Sequence, residues 1–231
     1  MSRRKAKDNN LNFDFSSLDF TDKNEDQARE VPRLTLEPAC FENAEIMAES
    51  LDYSKDYICF VSGTFIFGDF IEALVYHKQL APREIYITTL GMSQDNVDSI
   101  VNLVDYLGTQ HVNLVVSHYF AGVERHELIP YMQQEFKNKP VDVAVLKSHC
   151  KICLIRSDKG DIAITGSANL SSSANVEQFV IAHDKGLIDF LENKLQEIMN
   201  RFTVIRGLDG AEMDWKSYRQ KGGKGWEALK D

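Results

Sequence analysis

The chain alternates short runs rich in β-branched and aromatic residues with stretches of helical periodicity, and that alternation leaves a layered α/β domain as the fold class. Residues 57–62 form an apolar strand. Gly68 and Asp69 then open a helix to about Leu80, with Phe70, Ile71, Leu74 and Val75 on one face and with Asp69 and Glu72 in capping-box spacing. Residues 84–88 and 112–116 are further strands. Between them Ser93 caps and Gly108 ends a helix whose buried stripe is Val97, Ile100, Val101, Val104 and Leu107. A helix is expected over 125–136, started or kinked by Pro130. The second half changes character, with strands at 141–146, 150–155, 162–165 and 178–183 and a hairpin turn at 157–160. A last amphipathic helix covers about 187–202, with Ile188, Leu191, Leu195, Ile198 and Met199 inward. Strand–helix repeats followed by clustered strands predict a mixed β-sheet layered between helices.

A chain of 231 residues suits one domain with tails, and a core of that size needs neither disulfides nor a structural metal. Residues 1–30 are expected to be a flexible leader, with Phe13, Phe15 and Phe20 as its apolar anchors; residues 31–206 are the domain and 207–231 a C-terminal tail. Either tail suits docking on a protein partner, the second through Trp215 and Trp226. No apolar run reaches the roughly 18 residues of a membrane span, and the basic start has no apolar segment behind it. The expected location is therefore cytoplasmic, with reduced cysteines and no membrane partner. The net charge is −9, and the excess lies between the nearly neutral tails. Coating nucleic acid with a broad basic face is excluded, whereas a few placed cations around one anion are not.

One segment carries the chemistry: Ser148-His149-Cys150-Lys151, then Gly166-Ser167-Ala168-Asn169, then Glu177. Residues two apart on a strand share a face, so His149 and Lys151 are expected to project together while Cys150, Ile152 and Leu154 point to the apolar side. A hairpin returns the chain to Gly166, where a missing Cβ permits close backbone approach, and to the neutral donors Ser167 and Asn169. Imidazole, ammonium, hydroxyl and amide at one strand end suit a tetrahedral anion. A neutral imidazole can attack phosphorus, cations and neutral donors can stabilise the oxygens, and a carboxylate such as Glu177 can orient the ring.

This pattern resembles the HKD motif of the phospholipase D superfamily, H-x-K-x4-D-x6-G-S-x-N. The resemblance is strongest over residues 145–183 and extends more weakly over about 31–205. It implies a phospholipase D-like fold, with His149 as nucleophile or acid, Lys151, Ser167 and Asn169 as phosphate ligands, and Glu177 as the group that orients the histidine. One position departs: Arg156 stands where the family carries Asp, and the hairpin is one residue longer. The motif occurs once, so the resemblance implies a homodimer in which two copies of His149 meet across a two-fold axis. It further implies a metal-independent phosphodiesterase with no cofactor, a nuclease acting on DNA in preference to RNA. Alternatives are a phospholipid head-group hydrolase or transferase, and a partner-dependent or non-catalytic nucleic-acid-binding module of a phage or defence system.

Other chemistry-bearing residues read as structural. Cys150 and Cys153 fall on opposite strand faces, which argues against a metal or redox pair, although Cys153 is expected to line the site beside Lys151 as a target for thiol reagents. His111, His118 and His126 lie on different elements without clustered acids, so no metal site is assigned to them. Arg156 is expected to solvate its turn or to add a cation near the substrate.

Overall fold

The computed structural model describes residues 36–41, 43–62, 65–171 and 175–209, with side chains from residue 43 onward. The leader at 1–30 and the tail from residue 210, with Trp215 and Trp226, lie outside the described residues. In chain order the elements are β1 (Leu36–Phe41), α1 (Ala44–Ser50), β2 (Asp56–Val61), α2 (Phe67–Lys78) and β3 (Glu84–Thr89). There follow α3 (Gln94–Asp105), β4 (Val112–Ser117), α4 (His118–Val123), α5 (Leu128–Phe136) and β5 (Val141–Leu146). The chain continues through β6 (Ile152–Arg156), β7 (Ile162–Gly166), β8 (Glu177–Ala182), α6 (Lys185–Phe202) and β9 (Thr203–Arg206).

The described strands form a single nine-stranded sheet in the order β1-β2-β8-β7-β6-β3-β4-β5-β9. The pairs β1–β2, β3–β4 and β4–β5 are parallel and the rest antiparallel, so the sheet is mixed as the clustered strands predict. Strand periodicity sends alternate residues to opposite layers. Cys59, Ile85, Ile87, Leu114, Val143, Cys153, Ile164 and Phe179 pack with α1 to α5 on one face. Tyr86, Val115, Ala144, Leu154 and Ala163 pack against Ile188, Leu191, Leu195 and Met199 of α6 on the other. Helices thus cover both faces. Phe65, Phe67 and Phe70 meet Phe179 at ring-centroid distances of 6.1, 5.3 and 5.7 Å and pin the start of α2 to β8.

Local structure departs from expectation at identifiable points. The helix expected to open at Gly68 and Asp69 begins at Phe67, with Ile66 as its N-cap and no side-chain cap bond. Asp69 is therefore already inside the first turn and forms no capping box. Gly68 is there for contact, since a Cβ on it would lie 2.5 Å from Asn96 Nδ2. The N-terminus of α3 is held by Asn96, whose Oδ1 accepts from Ser93 N at 2.9 Å and from Ser93 Oγ at 3.1 Å. The helix expected over 125–136 starts only at Leu128, which places Pro130 in the first turn, where its missing N–H costs nothing.

Candidate active site

Sheet register gathers the motif at one edge. Because β6 runs against β3, its first residue Ile152 pairs with Thr88 at the carboxyl end of β3. Ile152 also faces Thr165 near the end of β7, and Gly166 faces Phe179 near the start of β8. Val61, which closes β2, pairs with Glu177. His149, Lys151, Ser167, Asn169 and Glu177 therefore all emerge where the parallel strands β2, β3, β4 and β5 end, the edge at which open α/β sheets present their ligand sites.

The strand expected from Cys150 begins instead at Ile152, so His149 and Lys151 precede β6 rather than ride on it. They are nonetheless brought together. Lys151 Nζ lies 3.3 Å from His149 Nδ1 and donates to the His149 carbonyl at 3.3 Å. A charged ammonium can only donate, so Nδ1 is then the acceptor and the ring proton sits on Nε2. In that tautomer Nε2–H can donate a hydrogen bond, and the ring becomes a general acid only when Nδ1 is protonated as well. Attack through Nε2 requires the proton on Nδ1, which becomes possible once the ammonium leaves Nδ1 for a phosphate oxygen. Burial pushes the Lys151 ammonium below its ordinary range, while Glu177 and Cys150 pull it back up.

The second half of the motif is a tight loop. A Cβ on Gly166 would lie 2.2 Å from the Gln178 carbonyl and 2.5 Å from Phe179 Cα, so β8 backbone excludes any side chain there. Gly166 N donates to the Lys151 carbonyl at 3.2 Å and ties the two halves directly. Asn169 Oδ1 accepts from Leu90 N at 3.2 Å, which leaves its NH2 as the end free to donate to an anion. Ser167 Oγ donates to Glu177 Oε2 in a short bond and accepts from Gln178 N at 3.0 Å. The Ser167 proton is thus directed to Glu177, and Glu177 is held by Ser167. Among the described residues no hydrogen bond joins Glu177 to His149. His149 and Ser167 are exposed and Lys151 is half-buried, so the site is an open edge. A cavity of about 390 Å³ beside α1 and α2, with Asp69, Glu72 and His77 among its walls, is lined by none of these five residues.

Two residues lie elsewhere than the sequence reading placed them. Cys153 is fully buried in the helical layer under the sheet, and burial pushes its thiol far up; among the described cysteine side chains the exposed one is Cys150. Helices on both sheet faces account for the burial of Cys153, and the later strand start leaves Cys150 outside the ladder. Arg156 neither solvates the turn nor approaches the substrate edge. Its guanidinium, 11% exposed, sits 3.3 Å from Asp161, 3.6 Å from Asp189 and 3.4 Å from Glu192, at ion-pair rather than hydrogen-bond geometry. It closes β6 at the end opposite Lys151 and ties it to α6. His111 lies between Glu84 and Asp142 at 3.9 and 3.8 Å, away from the motif. Among the described residues no group of three or more His, Cys, Asp or Glu side chains is arranged to hold a metal ion. The motif gave no signal for Thr88 and Thr89, whose hydroxyls accept from Ile152 N at 2.9 Å and Leu170 N at 3.3 Å.

No family model matches the chain, and no curated protein matches it. Solved structures do. The chain is similar to NucT from Helicobacter pylori, with 18% identity over 64% of this chain and 99% of that one and a TM-score of 0.48. It is also similar to a phospholipase D family member, Nuc from Salmonella typhimurium, with 16% identity over 64% and 95% and a TM-score of 0.44. Polyphosphate kinase from Porphyromonas gingivalis is a further similar structure, at 14% identity over 63% of this chain and a TM-score of 0.49; the chain spans only 26% of that enzyme. Among the described residues no helix is long and apolar enough to cross a membrane.

Proposed function

We propose that the chain is a metal-independent phosphodiesterase, a nuclease that cleaves nucleic-acid phosphodiester bonds through a covalent phosphohistidine, as a homodimer. The observation that carries this reading is the pairing of an exposed His149 ring with the Lys151 ammonium at 3.3 Å, beside the free amide of Asn169, at one sheet edge. Lys151 and Asn169 supply the positive charge and the neutral donor that a pentavalent phosphorus needs on its oxygens. Nε2 of one His149 forms the N–P bond as the bond from phosphorus to the leaving oxygen breaks. The second subunit's His149, entering this step as the imidazolium, gives its Nε2 proton to that oxygen and is left neutral; it then takes a proton from water as the water oxygen attacks phosphorus and releases the first ring. Ser167 holds Glu177 beside Lys151, where its negative charge keeps the ammonium protonated against the cost of burial. An open edge admits a polymer without requiring its end to enter a cavity, which favours an internal phosphodiester over a small-molecule ester. DNA is the preferred substrate in this reading.

The test is hydrolysis of bis(p-nitrophenyl) phosphate and of single- and double-stranded DNA and RNA in EDTA, with wild type beside His149→Ala. Turnover is expected for the wild type only, with the variant's melting temperature within about 2 °C because the ring is exposed. Activity abolished by EDTA would remove the metal-free mechanism, and unchanged hydrolysis by His149→Ala would remove the site.

A further inference from the structure

The carboxyl end of β3 touches both halves of the site, although nothing in its sequence carries a reactive group. Thr89 is 2% exposed. Its Oγ1 donates to the Gly91 carbonyl at 2.7 Å and accepts from Gly91 N and from Leu170 N, each at 3.3 Å. A hydroxyl has one proton and two lone pairs, so its entire hydrogen-bonding capacity is used. Leu170 directly follows Asn169, and Asn169 Oδ1 is itself capped by Leu90 N at 3.2 Å. One residue earlier, Thr88 Oγ1 accepts at 2.9 Å from Ile152 N, the residue after Lys151. The tripeptide Thr88-Thr89-Leu90 therefore holds the Lys151 side with its first residue and the Asn169 side with its second and third. On the far side of the loop, Gly68 N donates to the Leu170 carbonyl at 3.0 Å, so Leu170 is gripped at both its N–H and its carbonyl.

We propose that Thr89 is a positioning residue of the phosphate site. Through its buried hydroxyl it sets the separation between the Lys151 ammonium and the Asn169 amide. Its effect on rate rests on the phosphodiesterase reading; its effect on the loop does not. Two donors must reach oxygens of the same phosphorus, so a displacement of about 1 Å in one of them lowers the rate by up to about a hundredfold. The hydroxyl acts through Leu170 and Asn169 and touches no substrate itself.

Two substitutions separate the hydroxyl from the shape of the side chain. Thr89→Val keeps the volume but leaves Gly91 N, Gly91 O and Leu170 N without their partner, whereas Thr89→Ser keeps all three bonds. For Thr89→Val, kcat on the phosphodiester reporter is expected to fall roughly ten- to hundredfold while KM changes less than about threefold, because Lys151 still reaches the substrate. Thr89→Ser is expected to restore kcat to within about threefold of wild type. Amide hydrogen exchange gives a readout independent of turnover. Exchange over residues 166–171 should rise at least about tenfold in the valine variant and not in the serine variant, with amides of α3 and α6 unchanged in both. Full kcat and full protection in Thr89→Val would overturn the proposal, as would equal losses in the serine variant or a uniform rise in exchange through α6. A wild type without hydrolytic activity would defeat the phosphodiesterase reading, and the exchange arm would still decide the clamp. If Thr89→Val does not fold, Thr88→Val takes its place: faster exchange at Ile152 with a smaller fall in kcat supports the clamp, and no change in either overturns it.

Discussion

In the proposed reaction Lys151 meets two opposed demands, since it would have to be charged to hold a phosphate yet sits where burial disfavours charge. Burial is the larger influence, and the lysine is shifted down from its ordinary 10.5 in spite of Glu177. For binding, the ammonium is present below its folded pKa and is lost as pH rises through it. The alkaline limb of kcat/KM should therefore lie below pH 10.5 in the wild type. Lys151→Arg should move that limb upward, because a guanidinium stays charged, while lowering the maximal rate, because its fork reaches the oxygens differently. A pH profile of both proteins checks this, and an unmoved limb would assign it to another group. For stability the sign differs from that of a paired lysine: the unfolded chain binds the proton more tightly, so the penalty on the fold is relieved as pH rises past the folded pKa.

At the scale of elements, the central strands could be read directly from sequence. The apolar runs of β3, β4 and β5 fall where expected because these strands are buried almost throughout and show as continuous runs. The missed elements have physical reasons. Helix α4 spans only His118–Val123, started by Ser117 Oγ accepting from Phe120 N at 3.0 Å, and six residues are too few to display a period. Strands β1 and β9 are edges, paired on one side only. The start of β6 was read two residues early since alternation continues through Cys150 and Lys151, although the β3 ladder ends at Thr88 and Ile152. For the site, the chemical groups were legible as a spacing, whereas the clamp was not: threonine at a strand end is ordinary until its partners are known. Arg156 shows the same limit, because Asp189 and Glu192 reach it from α6, some 30 residues on. Arg156→Asp, which installs the family's residue, would set a fourth carboxylate among Asp161, Asp189 and Glu192. It should lower the midpoint of denaturant unfolding while leaving turnover per folded molecule unchanged. Unaltered stability would mean that these ion pairs contribute nothing.

The whole molecule carries a net charge of −9, yet the sheet edge that holds the motif presents Lys151, His149 and the exposed Lys147. A chain of that charge has to let phosphate in locally rather than attract nucleic acid over its surface, so binding should weaken only modestly with salt. One motif in one chain supplies one histidine, and the proposed mechanism uses two. Sedimentation at working concentration is therefore expected to give twice the mass of a single chain. Mixing wild type with His149→Ala under exchange conditions is expected to lower activity with the square of the wild-type fraction. A linear decline would show that each subunit works alone.

The two ends of β6 have separate duties. Its first residue is fastened beside Lys151, and its last belongs to the ion pairs with α6 and leads into the turn at 157–160. Five residues of extended chain put these ends roughly 13 Å apart. Length and charge at the turn can therefore drift without disturbing the reacting atoms. A search pattern that insists on an acid at position 156 tests how the strand is moored to its helix. It leaves untested whether the other end can cut a phosphodiester.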